Sequence, residues 1–376
     1  WQTMHYLLGF EQLGFEVYYA EEHGMLPRMF ADAQDPYGTR KAAEFLAVTM
    51  ERFGFGTRWS YRPWEAESEY HGLGEQQMSA LFGKAAAVIN LHGATVPRAE
   101  HRGGGALIYL ETDPVAPQIE LHNGLQATAD FLDAHTAFFT YGENLGAPDC
   151  KVPMPPARYA FHPTRQPIVM ELWEGRAAAQ EPECFTTIAN WKQAERVMTL
   201  DGEVYHWSKH HEFLRFIDLP QRTTQRFELA LSSYESADAE ILQAHGWRVR
   251  AALEFTGDLG AYRDYIIGSR GEWTVAKDQN VRLRSGWFSD RAATYLAAGR
   301  PVVTQETGFS NVLPTGRGLF AFSTMEETLA ALEAINGDYA LHSRAAAGIA
   351  REYFRADLVL STMLRQAGVS VPRHGA

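Results

Sequence analysis

Glu272 to Phe309, EWTVAKDQNVRLRSGWFSDRAATYLAAGRPVVTQETGF, reads as strand, polar loop, helix, strand, polar loop. Trp273, Val275 and Ala276 make an apolar run of strand length, with Lys277 where that strand ends. A loop with Arg282 and Arg284 leads to Ser285-Gly286-Trp287-Phe288-Ser289-Asp290. Ser289 is a good N-cap, and Asp290 suits the positive end of a helix dipole. Ala292, Tyr295 and Leu296 share one helical face, and Gly299 stops that helix two residues before Pro301. Pro301 to Thr304 is the next strand, with Gln305-Glu306-Thr307-Gly308 at its carboxyl end. Ligands of open α/β sheets bind beyond the carboxyl ends of strands. A helix N-terminus flanked by Lys and Arg is a ready anion site, and phosphate is the usual anion.

The same strand-then-helix order runs through the chain. Helices are expected over Trp1–Leu13, Thr39–Phe53, Gln76–Phe82 and Leu125–Leu132, and strands over Glu16–Ala20, Ala85–Leu91, Ala106–Leu110 and Ala137–Thr140. Pro167–Leu172 reads as the last strand of a first domain, and polar Trp173–Pro182 as a linker. Strands at Phe185–Ala189, Phe227–Leu231, Trp247–Arg250 and Gly318–Phe322 follow. Thr324 with Glu327 forms a capping box, and closing helices run over His342–Phe354 and Ala356–Leu364. The expected architecture is α/β: two Rossmann-like β/α/β domains facing across a cleft, residues 1–175 and 176–376, with the last helix packing back on the first. Trp1–Ala20 has the shape of the later part of a β-α-β unit, so a strand and loop are expected ahead of Trp1.

A length of 376 residues, 45% hydrophobic and 21% charged, suits two globular cores. A net charge of -12, from 34 Lys+Arg against 46 Asp+Glu, excludes a general nucleic-acid or basic membrane-docking surface. No run of 18 apolar residues is present, so no stable membrane insertion is expected, and the simplest compartment is the cytoplasm. Two cysteines make no disulfide framework. No CxxC, HExxH or DxD points to a metal, and no GxSxG, P-loop or GxGxxG follows a strand. Lys209-His210-His211-Glu212 reads as a surface cluster, since adjacent side chains on a helix diverge.

The candidate chemistry lies at strand ends. Lys277, Arg282, Arg284 and Arg291 surround the Ser285–Ser289 turn as anion ligands or as solvated surface charges. Gly286 lets backbone approach a ligand or is an ordinary turn glycine. Gln305 and Glu306 hydrogen-bond sugar hydroxyls or form an exposed polar loop. Asn190-Trp191 contacts a nucleotide, or Trp191 is core. His92, Asp113 and Glu143, each at a carboxyl end in the first half, are candidate general bases or structural loop residues.

SGWFSDRAATYLAAGRPVVTQETGF together with LPTGRGLFAF (Leu313 to Phe322) resembles a group of bacterial glycosyltransferase-like proteins of the GT-B superfamily. Phe185-Thr186-Thr187, Asn190-Trp191, Arg263-Asp264-Tyr265, Thr112-Asp113-Pro114 and Gly142-Glu143-Asn144 fit the same pattern, so the resemblance spans nearly the whole chain. It implies a nucleotide-sugar donor in the second domain, an acceptor in the first, no cofactor and no metal. It places Ser285, Gly286, Ser289 and Arg291 on the donor diphosphate, Trp287 and Asp290 among the donor-binding residues, Lys277 on the departing charge, and Gln305, Glu306 and Thr307 near the donor sugar. Three departures stand out. Glu306 replaces the usual Asp. Gly286 and Thr294 stand where the E-x7-E glutamates of retaining enzymes align. The Gly-Gly-His-Thr-Trp-like loop of similar proteins falls ahead of Trp1. The expected function is glycosyl transfer; a sugar-nucleotide epimerase or hydrolase, or a non-catalytic binding subunit, are the alternatives. Neither acceptor nor oligomeric state is legible.

Overall fold

The computed structural model describes residues 1–22, 24–64, 69–175, 182–193 and 196–372. Most of the Trp173–Pro182 linker lies outside them.

The first unit carries β1 (Tyr19–Glu21), β2 (Trp59–Tyr61), β3 (His71–Gly72), β4 (Ala87–Leu91), β5 (Ala106–Glu111), β6 (Ala137–Thr140) and β7 (Phe161–Pro163). Among the described residues β1 pairs β2 in parallel and β2 pairs β3 antiparallel, while β4-β5-β6-β7 form a parallel sheet in sequence order. β5 is buried along nearly its whole length, which is why it reads as an unbroken apolar run. The last strand is β7 and not the expected Pro167–Leu172. There the Ile168 amide donates to the Phe354 carbonyl at 2.6 Å and the Ala356 amide to the Ile168 carbonyl at 2.9 Å. The segment therefore pairs with the chain's closing turn and ends in the 3-10 helix Met170–Leu172.

The second unit carries β8 (Cys184–Asn190), β9 (Val197–Leu200), β10 (Glu203–His206), β11 (Arg226–Ser232), β12 (Arg248–Ala251), β13 (Gly271–Thr274), β14 (Val302–Gln305) and β15 (Leu319–Phe322). Its parallel sheet has the order β12-β11-β8-β13-β14-β15. The chain winds outward from β8 to β12, returns to β13 and winds outward the other way. The switch point, where such sheets bind ligands, lies between β8 and β13. Helix Asp290–Ala297 buries Ala292 to Ala297 and ends in a Schellman motif: Gly299 at φ 67°, Arg300 N–H to Tyr295 carbonyl 2.8 Å, Gly299 N–H to Leu296 carbonyl 2.9 Å. The Thr324–Glu327 capping box forms as expected. The closing helix Ala356–Gln366 buries Ala356, Leu360 and Met363 in the first unit's core with Met4, Leu7 and Phe10.

The polar loop expected after Lys277 is instead the helix Asp278–Leu283. Its buried face is polar, with Asp278, Gln279 and Asn280 all enclosed, so no apolar periodicity marks it. Antiparallel β9–β10 has no counterpart in the sequence expectation. Its two-residue turn, Asp201-Gly202, takes positive φ at both positions, 50° and 84°, the left-handed pair that Asp-Gly favours. The hairpin reaches across to the first unit. Leu200 and Tyr205 pack with Val115, Ile119 and Leu283, and Asn123 Nδ2 donates to the Thr199 carbonyl at 2.8 Å.

Candidate active site

At the switch point, Arg291 forms the floor. Its guanidinium donates to Glu272 Oε1 at 2.5 Å, to Thr274 Oγ1 at 3.2 Å and to the Ile188 carbonyl, tying β8 to β13. Burial works against its charge, but Glu272, with no exposed surface, outweighs this and raises the pKa. Arg291 is thus spent internally and is not the free anion ligand expected. Its charge still acts on what lies above.

Two lysines stand there. Lys277 follows β13, reaches across to the first unit and pairs with Asp113. Burial lowers its pKa, and Asp113 partly restores it. Its ammonium also lies 4.0 Å from the Trp207 ring centroid, with the Arg196 guanidinium 3.7 Å from the same ring. Lys209, expected on the surface, is only 8% exposed. Its ammonium lies 5.1 Å from the Trp287 ring and has no carboxylate partner among the described residues. Burial, then Arg291 and Lys277, push its pKa from 10.5 down to about 7. Glu272 and Asp113 act against this shift, but neither forms an ion pair with Lys209.

A cavity of about 570 Å³ is lined by His92, Tyr109, Glu111 and Asp113 from the first unit and by Arg196 and Trp207 from the second. His92 takes a left-handed φ of 63°, which turns it off β4, and its Nδ1 bonds Thr112 Oγ1. The buried Val115, at φ 90°, is a stronger outlier for a β-branched residue. Glu111 ends β5 with 2% exposure, and burial raises its carboxyl to about 7 against the opposing pull of Thr140, Gln118 and the Val115 backbone amide. Oε2 accepts from Thr140 Oγ1 at 2.5 Å and Gln118 Nε2 at 3.0 Å; Oε1 is buried with no hydrogen-bond partner among the described residues.

Several expected ligands are engaged elsewhere. Asp113 is held by Lys277 and is no free base. Glu143 pairs with Arg165, outside the cavity wall. Trp191 is core, 1% exposed and packed on Phe213, while Asn190 stays exposed at the end of β8 and accepts from Ser232 Oγ at 2.7 Å. Gln305 is buried, accepting from the Ala276 amide at 3.1 Å and donating to Glu212 Oε2 at 2.5 Å. Glu306 Oε1 accepts from the Gly308 amide, and Thr307 Oγ1 donates to the Trp287 carbonyl at 2.6 Å.

The Ser285–Ser289 turn grips the first unit. The Asn144 amide donates to the Ser285 carbonyl at 3.1 Å, and Asn144 Nδ2 to the Arg284 carbonyl at 2.9 Å. A Cβ on Gly286 would meet the Asn144 nitrogen at 2.3 Å, so the close approach this glycine permits is to backbone across the cleft. Ser285 is fully buried and donates to Asn280 Oδ1 at 2.8 Å. Trp287 Nε1 donates to the Thr112 carbonyl at 3.1 Å. Ser289 caps helix Asp290–Ala297 without a side-chain hydrogen bond, and Asp290 is half-buried at its first turn.

Lys209 and Glu111 are the two site groups that the sequence expectations missed. Ser208-Lys209 directly before a helix, and a lone Glu closing the apolar run ALIYL, were the available signals. His210 and His211 do not diverge as expected. Their rings are 3.9 Å apart at the first turn of the six-residue helix His210–Arg215, and His206 lies 4.4 Å from His211. Among the described residues no cluster of His, Cys, Asp and Glu is arranged to hold a metal, and no helix is long and apolar enough to cross a membrane.

No protein-family model matches the sequence, and a search of curated proteins finds no match. Solved structures do. Anabaena HepE in complex with UDP-glucose aligns over 93% of this chain and 98% of its own, with TM-score 0.54 and 11% identity. HepE in complex with UDP and glucose aligns over 94% and 99%, with TM-score 0.51 and 12% identity. AviGT4, a glycosyltransferase involved in avilamycin A biosynthesis, aligns over 94% and 97%, with TM-score 0.49 and 14% identity. With the strand order and the facing units described above, the two HepE likenesses show that the chain has the GT-B fold, two Rossmann-like β/α units facing across a cleft.

Proposed function

We propose that the protein is a glycosyltransferase that moves a sugar from a nucleotide-diphosphate donor to an acceptor without a divalent metal. The observation that carries this is Lys209, a buried cation without a counter-ion beside Lys277 and over Arg291, at the switch point of a doubly wound sheet. A diphosphate is the anion that such a crevice fits. Residues 176–376 hold the donor and residues 1–175 the acceptor. Lys209 and Lys277 take the charge that develops on the leaving diphosphate, the work a metal ion does elsewhere. Binding the diphosphate draws Lys277 from Asp113, which ties the charge of the donor to the acceptor side. Ser289, Asp290, Glu306 and Thr307 lie around the donor sugar, and Asn190 at the edge of the nucleoside. HepE, of the same fold, was solved with UDP-glucose, which makes UDP-glucose the first donor to try.

Calorimetric titration with UDP-, GDP- and TDP-sugars tests the reading. Binding to the wild type, weakened by Lys209→Met, supports it; absence of binding by all three classes refutes it. Rapid donor turnover without any acceptor would point to an epimerase or hydrolase instead.

A further inference from the structure

The cavity beyond β4 and β5 has a chemistry that the donor does not use. Its wall combines the ring of Tyr109 with those of Phe131 and Trp207, and it carries three carboxyl groups, Glu111, Asp113 and Glu120. Aromatic faces with carboxylates between them are the means by which proteins hold sugars: the rings cover C–H faces and the carboxylates accept hydroxyl protons. Asp113 Oδ2 has Lys277, although Oδ1 is buried without a hydrogen-bond partner among the described residues, and Glu120 Oε2 already accepts from Thr128 Oγ1 at 2.6 Å. Glu111 differs in having no ion-pair partner among the described residues. It is 2% exposed, Oε2 is fixed by Thr140 and Gln118, and Oε1 has no hydrogen-bond partner among the described residues. A buried unmet acceptor is costly, and such a group at a cavity wall marks the place of a missing donor. Two non-glycine residues with left-handed backbone, His92 and Val115, flank it, and strain of this kind gathers at functional sites.

We propose that this cavity takes a sugar or amino-sugar acceptor, and that Glu111 removes the proton from the hydroxyl that is glycosylated. The inference rests on the transferase reading and adds to it the acceptor class and the base. The acceptor O–H proton passes to Glu111 Oε1. The acceptor oxygen forms a bond to the donor's anomeric carbon, and the bond from that carbon to the diphosphate oxygen breaks. Its electron pair leaves on the nucleoside diphosphate, toward Lys209 and Lys277. One displacement of this kind inverts the anomeric configuration. Burial holds the Glu111 carboxyl near 7, where a base is effective at neutral pH. The titratable groups around it are His92, Tyr109, Asp113 and Glu120 from the first unit, and Arg196 and Lys277 from the second.

The test has two arms. Saturation-transfer NMR, without nucleotide, compares glucose, glucosamine, glucuronate and n-octanol. Glucose or glucosamine should bind, and Glu111→Gln should weaken the binding about tenfold or more. Binding of octanol or glucuronate alone, or of none of the four, overturns the acceptor class whatever the donor does. The second arm follows UDP-glucose turnover, to the best-bound sugar or to water. Glu111→Gln keeps the Thr140 and Gln118 bonds, so it should leave UDP affinity unchanged and slow turnover about 10²- to 10⁴-fold. The wild-type rate should rise with pH through about 7, and the product should be inverted. A Glu111→Gln rate within threefold of wild type, or a retained configuration, overturns Glu111 as base. Failure of UDP-glucose to bind, with sugar binding intact, counts against the donor reading and leaves the cavity standing.

Discussion

Lys209 is the group whose removal says most. In the unfolded chain its amine has an ordinary pKa of 10.5, and in the folded protein about 7. At about 1.4 kcal/mol per pH unit, keeping it charged in the fold costs on the order of 5 kcal/mol. That cost is present in full below pH 7. It is relieved as pH rises from 7 to 10.5, because there the unfolded state binds more protons. Lys209→Met keeps the stem against Trp287 and removes the charge. It should therefore stabilise the free protein by a few kcal/mol at neutral pH and flatten the rise of stability between pH 7 and 10.5. Nucleotide binding should move the other way. A charge-assisted hydrogen bond is worth about 2–3 kcal/mol, so UDP affinity should fall about 30- to 150-fold. Binding should also be linked to protonation. A lysine near 7 is about half charged at pH 7, and a diphosphate beside it completes the charge, so about 0.5 proton is taken up per UDP. Near pH 8 uptake should approach about 0.9, and near pH 6 about 0.1. Calorimetry in buffers of differing ionisation enthalpy reads this number directly. Equal UDP affinity in wild type and Lys209→Met, or proton uptake that does not vary with pH, refutes the argument.

Other outcomes follow from the same geometry. Glu111, raised from 4.5 to about 7, makes stability fall across that window as the unfolded chain loses its proton first; Glu111→Gln should flatten this limb in a profile of Tm against pH. Arg291→Met leaves Glu272 charged and enclosed, and should cost about 3–5 kcal/mol by denaturant unfolding, part of it regained by adding Glu272→Gln. Gly286→Ala places a methyl group on the Asn144 backbone at a left-handed φ of 82°, a cost of about 3 kcal/mol or a loosened cleft visible by small-angle scattering. Chelation by EDTA should leave transfer unchanged, whereas a dependence on added Mg²⁺ would show that the lysines do not suffice.

The parts of the fold carried by apolar patterning were legible. β5, β6, β8 and β11 and the helix at 290–297 bury continuous or periodic apolar residues, so their sequence states their place. What escaped was structure built on polar contacts. Helix Asp278–Leu283 buries amides and a carboxylate, and no hydrophobic pattern reveals it. Hairpin β9–β10 did leave a mark in Asp201-Gly202, since only a left-handed pair of residues closes so tight a turn. The site divides in the same way. Lys277, Asp113 and His92 do follow strand ends, but the sequence does not tell whether a partner is already present. Asp113, Arg291 and Gln305 are all paired within the protein, and this depends on residues 17 to 164 positions away. Lys209 and Glu111 stand out because of what is absent beside them, which no local stretch encodes.

The hairpin also bears on how such a protein changes over time. Its feet are Arg196 and Trp207, both on the cavity wall, and its tip, Asp201-Gly202, is exposed with open space around the glycine. None of its residues belongs to the six-stranded sheet. Lengthening, shortening or recolouring this one appendage would therefore reshape the mouth of the cavity while leaving the crevice between β8 and β13 intact. It is a natural place for acceptor preference to drift between relatives that share a donor, and a natural place to graft a new one.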